Sequence, residues 1–430
     1  MLSKNTMIIP ASPIAIFLIA FTFSLGITIG WPHHAILSLF YIVAIFGVGA
    51  VLIVSLQRRP LLVGPGYVVL LTLCNHIGLF IGYSLANGPE SMLWPTDTLD
   101  HHLPNAIAFA EWISGNGEIT IFDENPFKTV YVSNMWVGLF ISVFGVYPVV
   151  TAMAMLVIKL MTVMLIYGAA LNLTKNNSVA LTASIIYGLL PTITFYTIQF
   201  YKDYFIHFLV ALIFFIFSIS IRKPESVILT VILMALPLAV LFVERFYLLV
   251  MICAALTLYY WSQEGKIFLK LAILFLAGIA SFIVLNHYFK GQGIGALIET
   301  IKSFQATHNA APDVTPTTNI ALDLFRIAFT PFFTLDKLNN YNAFDSILIF
   351  GGGIHGLIML FYLRGIWIER KNRVVLINVS FLFLMILLAL IQPYDGRARD
   401  SFYPLVSIFA AIGIASLLKR NEPPRILQAG

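Results

Sequence analysis

PVVTAMAMLVIKLMTVMLIYGAALN, residues 148–172, is an apolar run of membrane-spanning length with one charged side chain, Lys159. An α-helix needs about 20 apolar residues to cross a hydrocarbon layer roughly 30 Å thick. The rest of the chain has a similar composition, because 59% of its 430 residues are hydrophobic and only 10% are charged. The composition therefore predicts a polytopic membrane protein rather than a soluble domain.

Twelve runs are apolar and long enough to cross a membrane. They lie at about residues 7–29, 34–55, 61–86, 148–172, 177–198, 203–221, 226–243, 245–262, 267–288, 345–367, 374–392 and 400–418. Lipid offers the backbone no hydrogen-bond partners, so each span is expected to be helical. We predict an all-α transmembrane helical bundle of about 12 spans in which residues 1–430 form a single membrane domain.

A shorter apolar run, YVSNMWVGLFISVFGVY at residues 131–147, decides the topology. If it does not cross, 15 Lys and Arg residues lie on the cytoplasmic side and 9 lie outside; if it crosses, these counts become 11 and 13. Positively charged loops stay in the cytoplasm, which favours the first arrangement. We therefore predict that both termini are cytoplasmic and that residues 131–147 form a helix at or dipping into the outer face.

This topology places two large loops outside, at residues 87–129 and 289–344. The first carries seven acidic residues and one Lys. Phe109, Trp112 and Ile113 recur there at helical spacing, which predicts a short interfacial helix, although a solvated acidic loop is the alternative. The same loop holds a group of ionisable residues, namely Asp97, Asp100, His101 and His102. Adjacent histidines on a helix point apart, so they predict no metal site by themselves.

Further charges lie where predicted spans meet the outer surface. Lys202 and Asp203 occupy one such turn, with His207 one helical turn deeper, and Glu244 and Arg245 occupy another. Charges in these positions cost a few kcal/mol unless they are paired or face a polar cavity, so they are candidates for function. The alternative is that each adjacent pair neutralises itself in a tight turn.

Arginines on the outer side oppose the usual distribution of positive charge. Arg397 and Arg399 lie in the last outer loop, and Arg326 and Lys337 lie in the second outer loop. Guanidinium groups suit phosphate better than any other side chain, which predicts anion binding. A structural salt-bridge cluster with the acidic loop is the alternative.

Four motifs appear in a distinctive order along the chain. They are VYVSNMWVGLFISVFG at 130–145, GLLPTITFYTIQFYKD at 188–203, VERFYLL at 243–249 and GRARDSFYPLVSIFAAIGI at 396–414. Together with the acidic first loop, they resemble the GT-C superfamily of integral membrane glycosyltransferases, especially its uncharacterised bacterial members, over about residues 60–420. The superfamily includes protein O-mannosyltransferases and lipid A aminoarabinose transferases.

The resemblance implies a catalytic carboxylate in the first outer loop. Relatives usually carry Asp-Glu or Asp-x-Asp there, whereas this chain has Asp97-x-x-Asp100, with His101 where many relatives have Tyr. Which Asp is the base, and whether a divalent cation takes part, therefore stays open. The resemblance also implies that a set of residues from later loops lines the cavity: Lys202, Asp203, Arg245, Arg397 and Arg399.

The location of the site narrows the choice of donor. Nucleotide sugars are cytosolic, so an outward-facing transferase needs a sugar delivered on a polyprenyl phosphate or diphosphate. An Asp would remove the proton of an acceptor hydroxyl on a glycan, lipid or protein, and the cations would stabilise the leaving phosphate. No cofactor is predicted with certainty. Cys74 and Cys253 lie in apolar runs, which argues against a metal or disulfide role, and the modest net charge of +5 argues against nucleic acid binding.

Two other functions fit parts of the sequence. A lipid-linked oligosaccharide polymerase or ligase would use the same chemistry with a different acceptor. A transporter or lipid flippase predicts repeated halves, broken helices and ionisable groups in mid-membrane. The sequence has no internal repeat, and only Lys159 lies that deep. The preferred prediction is a glycosyltransferase of a bacterial cytoplasmic membrane.

Overall fold

The described part of the chain is a bundle of helices. This computed structural model describes residues 65–88, 90, 98–119, 131–222, 227–262, 324, 343–391, 399–418 and 426, and these ranges contain no strand. Its helices are α1 (Pro65–Asn87), α2 (Leu103–Ile113), α3 (Val132–Phe144), α4 (Pro148–Thr174), α5 (Asn177–Leu189), α6 (Pro191–Ile198), α7 (Asp203–Arg222), α8 (Val227–Trp261), α9 (Ala343–Glu369), α10 (Val379–Ile391) and α11 (Tyr403–Leu418). The all-α prediction is confirmed for these residues.

Several of these helices are long and apolar enough to cross a membrane. Within the described ranges, four segments qualify: Pro65–Ser84, Pro148–Thr174, Asp203–Ile221 and Gly351–Glu369. The pair α5 and α6 makes a fifth if it counts as one span, although it bends by 51° at the break. The total of twelve spans stays a prediction, because the runs at 7–29, 34–55 and 267–288 and most of the second outer loop lie outside the described residues.

Helices α4 and α5 form a hairpin whose turn is fixed by local chemistry. Lys175 ends α4 in the left-handed conformation, with φ 50°, and its N–H donates to the Leu171 carbonyl. Asn176 then caps α5, because its side-chain oxygen accepts hydrogen bonds from the N–H groups of Ser178 and Val179. Such a cap typically stabilises a helix start by about 1 kcal/mol. The hairpin sets α5 beside α4 in the bundle core.

Helices α9 and α11 approach each other closely through a reciprocal pair of glycines. A Cβ atom on Gly365 would lie 1.9 Å from the Phe409 carbonyl oxygen, and one on Gly413 would lie 2.0 Å from the Phe361 carbonyl oxygen. No side chain fits at either position. Small residues at helix contacts are typical of membrane bundles, where van der Waals contact holds helices together.

Helices α2 and α3 form a second, shorter pair. A Cβ on Gly138 of α3 would lie 2.6 Å from the Ala106 carbonyl oxygen of α2, so these backbones also touch. At 13 residues, α3 extends about 20 Å, too short to span a bilayer. α2 lies within the predicted outer loop, in the segment for which the sequence predicts a short helix. The position of either helix relative to a membrane stays a prediction.

Helix α8 covers two predicted spans, 226–243 and 245–262. Its backbone leaves helical geometry at Arg245, where φ is −154° and ψ is 84°. The turn predicted at Glu244 and Arg245 is therefore a break at a single residue. At this break, Glu244 and Arg245 contact different helices, α3 and α7.

Candidate functional site

The connection between α6 and α7 presents two charged residues, Lys202 and Asp203. Phe200 in this connection has a φ of 55°, a left-handed conformation that is uncommon for a bulky residue, and its ring is fully buried. A non-glycine residue in this region costs about 1–2 kcal/mol, which surrounding contacts must offset. Strain of this kind is concentrated at functional sites.

Asp203 forms an ion pair with Arg245, which links the first residue of α7 to the break in α8. The exposed fractions of the two side chains are only 6% and 14%. Arg245 Nη1 also donates a 2.7 Å hydrogen bond to the Tyr247 hydroxyl. A carboxylate at a helix N-terminus is further stabilised by the helix dipole. The sequence-based alternative of self-neutralising neighbours is therefore wrong for Arg245, whose partner comes from another helix.

Glu244 binds the N-terminus of α3. It accepts a 2.7 Å hydrogen bond from the Ser133 N–H and a 3.1 Å bond from the Ser133 hydroxyl. The residue preceding α3, Tyr131, provides no side-chain cap, so Glu244 takes that role from a distant segment. Burial raises the pKa of the Glu244 carboxyl, and the Ser133 hydrogen bonds and the Lys202 charge oppose that rise.

Lys202 lies against the same end of α3. Its Nζ is 4.0 Å from the ring centroid of Tyr131, a cation–π contact. The side chain is half-buried, so part of it remains accessible. The start of α3 is therefore bound both by the α6–α7 connection and by the break in α8.

The first predicted outer loop also docks on this region. Residues Thr98–His102 form a short π-helical turn, and the Thr98 hydroxyl donates a 2.9 Å hydrogen bond to the Gln199 carbonyl. The His102 ring is buried with its centroid 5.9 Å from that of Phe200. Asp100 is exposed in the same turn and His101 is half-buried. Asp97 lies outside the described residues.

We call Asp100, Lys202, Asp203, Glu244 and Arg245 the charged cluster. Contacts of Thr98 and His102 with residues 199–200 connect its loop-one member to the others. Within the described ranges, no three His, Cys, Asp or Glu side chains are grouped so that they could hold a metal ion.

His207 lies one turn further along α7 than Asp203 and is fully buried. Its Nδ1 is 3.1 Å from the Tyr187 hydroxyl at the end of α5. Its Nε2 has no hydrogen-bond partner among the described residues.

Arg399 is buried beside its sequence neighbour. Its Nε and Nη2 donate hydrogen bonds of 2.9 and 2.7 Å to the same oxygen of Asp400. Nearby, His355 Nδ1 is 3.1 Å from the Tyr403 hydroxyl. The two hydrogen bonds from Arg399 join it to Asp400, which is not a member of the charged cluster. Arg397 and Arg326 lie outside the described residues.

Sequence reasoning missed several neighbours of the charged residues. Ser133 starts a predicted helix, which is a common place for a capping residue, but no pattern names Glu244 as its partner. Tyr131, Tyr187 and Tyr247 likewise carry no signal in the sequence. Their roles depend on which segments meet.

Comparison with known proteins gives no match: no protein-family model, no curated protein and no solved structure matches the chain. The resemblance to the GT-C superfamily therefore stays a prediction from sequence motifs.

Proposed function

We propose that the chain is an integral membrane glycosyltransferase that moves a sugar from a polyprenyl phosphate or diphosphate to an acceptor hydroxyl. The reaction would take place at the outer face of a bacterial cytoplasmic membrane. The observation that supports this proposal most is the charged cluster, in which segments distant in sequence bring carboxylates and cations together. Glycosyl transfer from a lipid phosphate needs both kinds of group.

The carboxylate side of the cluster would activate the acceptor. In this proposal, Asp97 or Asp100 takes the proton of the acceptor hydroxyl while its oxygen attacks the anomeric carbon of the sugar. Asp100 is exposed, so an acceptor can reach it. Asp203 is less suited to this role because it is buried in the ion pair with Arg245. We assign Asp203 to positioning the guanidinium group.

The cationic side would stabilise the leaving phosphate, which gains the electron pair of the broken carbon–oxygen bond. Lys202 is half-buried and thus partly accessible, and Arg245 is held nearby by Asp203 and Tyr247. Charge developing on a phosphate is stabilised most by donors that are already in position. Arg399 would have to release Asp400 before it could bind the phosphate. We therefore assign Arg399 and Arg397 to a secondary contact with the phosphate.

The test is a transfer assay with the full chain in proteoliposomes that contain polyprenyl-phosphate hexoses. Released polyprenyl phosphate and glycosylated acceptor are measured for Asp97→Asn, Asp100→Asn and the double variant. Loss of a general base lowers the rate by about 10²–10⁴-fold. Glu111→Gln, an exposed change in the same predicted loop, is the matched control and should keep full activity. A fully active double variant would remove the base assignment.

A lipid-linked oligosaccharide polymerase or ligase is a related alternative with the same donor. The acceptor distinguishes it, since its products would be extended or transferred oligosaccharides rather than single-sugar adducts. The transfer assay separates these by product length.

A transporter is the second candidate, and one observation favours it. The 51° bend between α5 and α6 lies beside the buried Lys159, as expected of a broken helix near a transport site. Uptake of a labelled solute into proteoliposomes without any sugar transfer would favour this candidate over the first.

A further inference from the structure

Lys159 is a buried cation in the middle of α4, far in sequence from the charged cluster. It is 1% exposed, and its Nζ donates a 2.7 Å hydrogen bond to the Thr194 hydroxyl oxygen in the first turn of α6. An ammonium group carries three donors. Among the described residues, Lys159 Nζ has one hydrogen-bond acceptor, Thr194. The other two N–H donors of the ammonium group have no acceptor among these residues.

Thr194 has no further capacity to compensate the charge. Its oxygen also accepts a 2.9 Å hydrogen bond from Asn75 Nδ2, and its hydroxyl donates to the Leu190 carbonyl at 3.0 Å. At the junction of α1, α4 and α6, Lys159 and Asn75 thus share one hydroxyl oxygen, and the Gly188 carbonyl accepts a further hydrogen bond from Asn75 at 3.4 Å. The junction contains no negative charge among the described residues.

The sequence offers no carboxylate for Lys159 either. All 20 Asp and Glu residues lie at or beyond the ends of the predicted spans, whereas Lys159 lies in mid-span. An unpaired buried charge costs several kcal/mol, which a packed interior does not tolerate without compensation. A counter-charge must therefore come from outside the protein if the amine is protonated.

The start of α6 places N–H groups next to Thr194; Pro191 has no N–H and the Thr194 N–H donates to the Leu190 carbonyl, so Thr192 and Ile193 supply them. Helix N-termini carry about half a positive charge and bind anions through free N–H groups. Leu190 gives α6 no side-chain cap. Gly351 of α9 lies against this turn, since a Cβ there would be 2.6 Å from Thr192 Cγ2. The helices are thus too close here for a large polyatomic ligand.

His76 is a second buried group at this junction. It is 2% exposed, its Nε2 is 3.1 Å from the Ala152 carbonyl oxygen, and its Nδ1 has no hydrogen-bond partner in the described structure. Its sequence neighbour Asn75 donates to the same Thr194 hydroxyl as Lys159 does. No described carboxylate hydrogen-bonds to Lys159 or His76.

We infer that Lys159 and the first turn of α6 form a buried site for a monatomic anion such as chloride. The missing negative charge is one unit, and the close helices favour a single atom over phosphate. The anion would accept hydrogen bonds from Lys159 and from the uncapped start of α6. This inference does not rest on glycosyl transfer, because the site is separate from the charged cluster.

The test uses the purified full chain in nanodiscs, with chloride replaced by gluconate at constant ionic strength. We expect the thermal unfolding midpoint to rise with chloride or bromide and to be unchanged by phosphate. Lys159→Met should weaken the apparent halide affinity by at least about tenfold, as loss of a charge-assisted hydrogen bond does. Lys175→Met changes an exposed lysine just beyond the same helix and should leave the halide dependence unchanged.

A second measurement keeps the inference testable if Lys159→Met fails to fold. Bromide soaked into crystals of the unaltered chain should give an anomalous peak within hydrogen-bond distance of Lys159 Nζ. An unfolding midpoint that does not change with halide concentration would overturn the inference. A bromide peak found only at positions away from Lys159 would also overturn it. An unfolding midpoint that is independent of halide would mean that Lys159 is buried as a neutral amine.

Discussion

Glu244 and Arg245 are adjacent in sequence, yet they bind different parts of the molecule. Arg245 pairs with Asp203 at the start of α7, and Glu244 accepts hydrogen bonds from Ser133 at the start of α3. The break in helical geometry at Arg245 makes this division possible. Two neighbouring side chains thereby fix three helices around the charged cluster.

The role of Glu244 predicts a difference between two substitutions. Glu244→Ala leaves the buried Ser133 N–H and hydroxyl without their acceptor, so we expect a loss of about 1–3 kcal/mol in the free energy of unfolding. Glu244→Gln keeps an acceptor for Ser133 and should cost less. Thermal or denaturant unfolding of the purified variants measures both, with the exposed Glu111→Ala as a control. Equal stability of all three would mean that Glu244 does not hold α3.

At the scale of elements, close helix contacts depend on particular glycines. Gly365 and Gly413 let α9 and α11 touch along their backbones. Gly353 lies on the same helix as Gly365, but a Cβ atom added to it would have no neighbour within 4 Å, so it faces open space. The two positions in α9 are therefore a matched pair for a substitution test.

We expect Gly365→Ala to destabilise the bundle and Gly353→Ala not to. A methyl group on Gly365 overlaps a backbone carbonyl oxygen that has no freedom to move aside, and overpacking of this kind costs about 1–3 kcal/mol. Alanine favours a helix over glycine by about 1 kcal/mol, so Gly353→Ala should be neutral or slightly stabilising. Unfolding midpoints of the two variants in one detergent decide this. A stable Gly365→Ala variant would contradict the close α9–α11 contact.

Apolar run length predicted the described helices well. The runs at 148–172 and 203–221 correspond to α4, Pro148–Thr174, and α7, Asp203–Arg222. The run at 177–198 also has the right ends, but its bend at Pro191 did not follow from hydrophobicity. Proline removes a backbone donor and so favours a break in a helix. The angle of the bend depends on packing between helices, which the length of an apolar run does not predict.

At the scale of the whole molecule, the sequence identified charged residues but not their partners. Lys202, Asp203, Glu244 and Arg245 were predicted as site residues from their places at span ends. Their pairings with Tyr131, Ser133 and each other depend on contacts between distant segments. Sequence spacing constrains such contacts only within a helix or turn. The sequence therefore identifies the residues of the charged cluster, whereas tertiary packing determines which of them meet.

The shared site of first-loop acids and later motifs stays a prediction, and the described contacts concern Asp100, Lys202 and Asp203. Thr98 and His102 hold the turn containing Asp100 on residues 199–200, next to Lys202 and Asp203. Arg399 instead donates hydrogen bonds to Asp400, and Tyr187 and His207 form another buried pair. The molecule thus has a charged cluster and a neighbouring buried polar group. In the proposed function, a lipid phosphate binds at the charged cluster.

The most direct test of the proposed function is the location of a bound lipid phosphate. The full chain is reconstituted in nanodiscs with a polyprenyl phosphate, and its structure is determined by cryo-electron microscopy. We predict phosphate density within hydrogen-bond distance of Lys202 or Arg245 and beside the turn that carries Asp100. Density for the phosphate at the opposite end of the bundle, or none at saturating lipid, would contradict the proposal.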